Sequence, residues 1–236
     1  DAIIEGLKTQ DLKKFDAAIV AVDMLAYGGL VAMREYETDL GAAQKRLEFI
    51  REMKRRAPQL KIYASSVIMR LAPTGNVVNE AYRENLAKWA EISADENLKK
   101  ETAALEKKIP AEALKKYKLA RERDLQINLA SVKLVQDKIL EQLILGQDDA
   151  KPKGVHVADR ERARRLQNGY SRQCPTCEVV LFFDDNSQDQ TTRRAMKSAR
   201  QIRTALREAE LEQPRRKRVL RGAGRRSLRA LFRIFG

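Results

Sequence analysis

AAIVAVD, residues 17–23, decides the fold class. Six apolar residues in a row make a strand-length run, and the lack of polar alternation suits a strand covered on both faces, as in a parallel sheet. Asp23 closes the run. The same grammar recurs downstream. LKIYASSVIM (60–69) is ended by Arg70 and the turn-forming APTG; in LILGQDDAKPKG (143–154) the short run Leu143–Leu145 meets Gln147, Asp148 and Asp149. EVVLFF (178–183) runs into Asp184, Asp185 and Asn186.

The intervals between these runs read as helices. Ile3, Ile4, Leu7 and Leu12 predict a short amphipathic helix, and Leu40, Ala43, Leu47, Ile50 and Met53 recur at three- and four-residue steps until Pro58. Gly28-Gly29 reads as a loop beside the first strand end. Residues 77–140 are rich in Ala, Leu, Glu and Lys and predict helices over 77–94 and 111–140, the latter with an apolar face of Leu125, Leu129, Val132, Val135 and Ile139. A short helix is expected at 159–166 and a highly charged one at 191–211. The fold class that follows is α/β: a mostly parallel open sheet flanked by helices, with a long helical insertion and a basic, poorly ordered C-terminal tail. The expected divisions are an α/β core over 1–168, a strand plus charged helix over 169–212, and an arginine-rich tail over 213–236.

Charge is unevenly placed. Residues 1–150 hold 25 Lys and Arg against 24 Asp and Glu, whereas residues 151–236 hold 22 against 9. Arg215, Arg216, Lys217 and Arg218 begin a terminal segment with no carboxylate, a chemistry that phosphate backbones attract. No apolar run approaches the ~20 residues that span a bilayer, so the chain reads as soluble and cytoplasmic; it opens on Asp1 rather than Met, which leads us to expect a missing N-terminus. Cys174 and Cys177 form a single CPTC with one His elsewhere in the chain, too few ligands for a closed zinc site, and they read as reduced, incidental thiols.

Three of the four strand ends carry Asp: Asp23, Asp148 with Asp149, and Asp184 with Asp185. In open α/β sheets ligands bind outside the carboxyl ends of the strands, so parallel neighbours would gather these groups on one edge. Carboxylates there could hold a divalent cation such as magnesium, with Asp148 and Asp149 as ligands, work as an acid/base pair, or accept hydrogen bonds from sugar hydroxyls. Asp is also common after strands because it caps helices and favours turns. His156 has the chemistry of a proton shuttle or a ligand, yet a lone His is more often a surface or packing residue, and Ser65 and Ser66 read as packing. There is no Walker loop, and the GAG at 222–224 lacks a third glycine and a preceding strand.

DAAIVAVDMLAYGGLVAMR, IYASSVIMRLAPT and LILGQDDAKPKGVHVADRER together resemble a bacterial family, the domain of unknown function 4127 family, across residues 15–166. The resemblance implies a large α/β protein with these motifs at strand ends. It also implies, as candidate site residues, Asp23, Tyr27, Gly28, Gly29, Arg70, Asn128, Gln147, Asp148 and Asp149. The family's opening strand ending Asp-Asp-Arg-Pro is absent here. In RERDLQIN (121–128) this chain has Asp124-Leu125 where the family tends to show Asn-His, and beyond about residue 168 the resemblance stops. The expectation is an enzyme of hydrolase or lyase type acting on a small polar, carbohydrate-like substrate. Asp23, Asp148 and Asp149 would be catalytic, Arg70 an anion clamp, and Tyr27 and Gln147 hydrogen-bonding groups. The alternative is a non-catalytic protein whose basic C-terminal third contacts nucleic acid.

Overall fold

A computed structural model describes residues 2–147, 151–171 and 178–183. In chain order these form α1 (Ala2–Lys8), β1 (Ala17–Ala21), α2 (Val22–Tyr27), α3 (Leu30–Arg34), α4 (Leu40–Leu47), α5 (Phe49–Arg56) and β2 (Lys61–Val67). There follow α6 (Arg83–Ile92), α7 (Lys99–Glu106), α8 (Ala111–Gln136), β3 (Gln142–Gln147), α9 (Val155–Ser171) and β4 (Glu178–Phe183). By its internal contacts the chain divides into residues 1–195 and 196–236, and every described residue belongs to the first unit.

The four strands make one open sheet in the order β1-β2-β3-β4, parallel throughout. Ala21 lies beside Ser65, Ser66 beside Leu145, and Gln147 beside Phe183, so the carboxyl ends share one rim. Along β2 the residues Ile62, Ala64 and Ser66 are buried while Tyr63, Ser65 and Val67 are half-buried; β3 alternates likewise from Leu143 through Leu145 to Gln147. Those buried positions lie on the face toward α8, because Ser66 bonds to Asn128. Full burial of a side chain such as Ile62 or Leu143 stabilises by about 1.5–3 kcal/mol, and such residues make the core. The continuous run of β1 is half-buried along its length rather than covered on both faces, since β1 lies at the end of the described strand order.

Several element boundaries differ from expectation for local reasons. The helix expected from 77 starts at Arg83, because Asn76 Oδ1 captures the Val78 and Asn79 amides and Asn79 Oδ1 captures the Asn76 amide. The helix expected to reach 140 stops at Gln136, with Lys138 in a left-handed conformation at φ 57°. The Gly28-Gly29 loop is preceded by a helical turn, α2, which leaves β1 directly and ends at Gly28, φ 94°, whose N–H bonds back to Met24 O. The helix expected over 40–53 is α4 and α5, divided at Glu48, whose backbone remains right-handed helical. Between α8, α9 and the segment after β2, Arg121 acts as a tie. Its guanidinium donates to the carbonyls of Met69 and Arg70, to the Tyr117 hydroxyl, and twice to Asp159 Oδ2.

Candidate acid pair at the strand rim

Asp23 follows β1 by two residues and is only 5% exposed. Its Oδ1 accepts from the Ser66 hydroxyl and the Val67 amide, both at 3.4 Å, which is weak compensation for a buried carboxylate. Burial is the main cause that lifts its pKa from 3.8 to about 7, with those hydrogen bonds and the Arg34 charge acting the other way. The expected rim position of Asp23 is therefore real, and its environment makes it a weak acid.

A second carboxyl lies beside it that the sequence reading passed over. Asp124, on α8, is 2% exposed, and its Oδ2 accepts from the Met69 amide at 3.0 Å and from Asn128 Nδ2 at 3.2 Å. Burial first, then the negative charge of Asp23, hold its pKa far above the usual carboxylate range. Asn128 Nδ2 also reaches Val67 O at 3.3 Å, and Asn128 Oδ1 accepts from Ser66 at 2.7 Å. Ser66 is thus a member of the polar cluster rather than packing alone. Ser66 and Asn128 join the two carboxyls, and two such groups in one dry region cannot both ionise near neutral pH.

Three further polar groups at this rim lack hydrogen-bond partners. The Tyr27 hydroxyl, Asp124 Oδ1 and both polar atoms of the Gln147 side chain are buried and unbonded. Gln147 is 2% exposed and lies two residues beyond Leu145, the partner of Ser66, and so on the same face of the sheet. Burial raises the Tyr27 phenol far above its usual range, with the Asp124 charge next, so it stays protonated. Arg123 stands 4.4 Å from the Tyr27 ring and 5.6 Å from that of Tyr36, and donates to the carbonyls of Met33, Glu35 and Thr38. Tyr36 also lines a cleft of about 310 Å³ between α3, the loop after β2 and the start of α8. Arg34 sits between the two regions, bonding Thr74 Oγ1 at 3.2 Å on the cleft side and biasing Asp23 electrostatically.

Of the expected site residues, Asp23, Tyr27, Asn128 and Gln147 come together at the rim. Gly28 and Gly29 end α2 and begin α3, serving the backbone. Arg70 is half-buried, its Nε donating to Ala72 O within its own loop. Asp148, Asp149, Asp184, Asp185, Cys174, Cys177 and the tail residues Arg215, Arg216, Lys217 and Arg218 lie outside the described residues, as do the helix expected at 191–211 and the tail. Among the described residues no cluster of three His, Cys, Asp or Glu could hold a metal ion, and no helix is long and apolar enough to cross a membrane. A family model described as a protein of unknown function (DUF4127) matches residues 1–209, beyond both ends of the 15–166 resemblance. No curated protein and no solved structure gives a significant match.

Proposed function

The chain belongs to the DUF4127 family, and from that premise we propose that it is an acid–base enzyme of hydrolase or lyase type acting on a small polar substrate at the strand rim. The observation that carries this reading is the pair of buried carboxyls, Asp23 and Asp124, joined through Ser66 and Asn128; burial lifts the Asp23 pKa to about 7, where it can take up and release a proton at neutral pH. Asp124 beside it is also raised, by burial first and then by the Asp23 charge, so the pair holds a shared proton that one carboxyl can give while the other takes one up. Tyr27 and Gln147 supply unspent hydrogen-bonding capacity.

The test is a turnover screen of the full chain against chromogenic glycosides, esters and sugar-acid lyase substrates. Asp23→Asn should lower kcat by about 10²–10⁴-fold, and the native kcat/KM profile should bend near pH 7. A substrate turned over equally well by Asp23→Asn rejects the reading.

A further inference from the structure

The cleft beside the rim has a lining that suits one ligand chemistry. Its volume of about 310 Å³ matches a compact small-molecule site. Arg34 and Lys116 contribute two positive charges and Glu35 and Glu37 two negative ones, so an anion such as phosphate gains no net attraction. Both donors and acceptors line it, which is what hydroxyl groups require, since each both donates and accepts. The tyrosines Tyr36 and Tyr82, with Pro73 and Leu86, offer flat or apolar surface of the kind that covers the C–H faces of a sugar ring.

The walls are also fixed in advance. The loop after β2 is held by four Asn76 and Asn79 side-chain bonds, including Asn79 Nδ2 to Thr74 O at 2.7 Å, and Asn76 spends its carbonyl there, leaving its NH2 as a donor. The opposite wall is pinned by Arg123 to the carbonyls of residues 33, 35 and 38, and Tyr117 by its bond to Leu71 O. Fixed walls reduce the ordering cost of binding. At the lip this rigid turn holds Val77 and Val78 90% and 80% exposed, an apolar step onto which a longer chain of sugars could extend.

We propose that the cleft between α3, the loop after β2 and α8 is a saccharide-binding site, with one sugar ring inside and further units crossing the Val77-Val78 lip. The cleft is a separate place from the rim, since neither Asp23 nor Asp124 lines it, and the inference goes beyond the acid–base reading without resting on it. The reporter is Trp89, the single tryptophan, whose ring meets that of the cleft residue Tyr117 edge-on with centroids 6.3 Å apart. Neutral mono-, di- and trisaccharides are titrated into the full chain carrying Asp23→Asn, with glycine as a zwitterion and inorganic phosphate as comparisons. A saturable change in emission with sugars, tightening with chain length, is expected. Glu37→Gln and Tyr82→Ala should each weaken it by about tenfold. No response to any sugar overturns the proposal; so does a response to glycine or phosphate alone, and so does binding that both variants leave unchanged. The two readings fail separately: loss of turnover in Asp23→Asn without sugar binding sinks this inference alone, and sugar binding with unimpaired turnover in that variant sinks the acid–base reading alone.

Discussion

Replacing Asp23 with Asn should make the protein more stable at neutral pH, and the gain should vanish in acid. In the unfolded chain this carboxyl ionises near 3.8, but in the fold burial delays ionisation to about pH 7. Below 3.8 both states carry the proton and nothing is lost. Between 3.8 and 7 the unfolded state releases it and the folded state does not, so stability falls by about 1.4 kcal/mol for each pH unit. The accumulated loss is about 4 kcal/mol by pH 7, after which the curve is flat. Asparagine keeps the shape and an acceptor for Ser66 and Val67, and it cannot ionise. Urea unfolding at intervals from pH 3.5 to 8 should show the difference between variant and native protein growing in favour of the variant across that window. Asp124 adds to the effect, because removing the Asp23 charge removes a cause of its own raised pKa. Parallel curves for the two proteins would show that Asp23 ionises normally, and would remove the basis of the acid–base reading.

His156 should act with the opposite sign. It is 0% exposed, its Nε2 lies 2.8 Å from Lys151 O, and burial, with Arg121 and Arg160 nearby, lowers its pKa from 6.5 to about 4. Stability should therefore be lost as pH falls from 6.5 through 4, and His156→Gln should flatten that limb in the same urea series; an unchanged limb refutes it. Gly154→Ala should cost about 2–4 kcal/mol, read as a lower melting temperature, because φ is +135° and a Cβ would stand 2.8 Å from Leu71 and 3.0 Å from His156 Nδ1. Asn128→Ala should cost a similar ~2–4 kcal/mol by urea unfolding, since Asp124 and Ser66 both lose a buried partner, and a loss under ~0.5 kcal/mol would show that the cluster is not tightly joined.

The sheet was legible because its signal is local. Runs such as AAIVAV and EVVLFF have strand length and strand composition, and the parallel order places Asp23 and Gln147 on one rim. Boundaries were less legible where side chains compete for backbone groups, as Asn76 and Asn79 do before α6. Asp124 was missed because a charged residue on a helix ordinarily marks the solvent side. A signal did exist: Arg121, Asp124, Asn128 and Ser131 recur at steps of three and four among the apolar positions of α8, and all are buried. The cleft had no sequence signal, since Tyr36, Tyr82 and Lys116 meet only through the approach of three separate segments.

The Arg123 guanidinium, held between two tyrosine rings, gives these parts of the molecule a common gauge. One ring belongs to the cleft and the other stands by the carboxyls, so a single planar cation touches both. By thermodynamic reciprocity, any shift that filling the cleft makes in the titration of the carboxyls is matched, by the same factor, in the grip of the cleft when the carboxyls take up a proton.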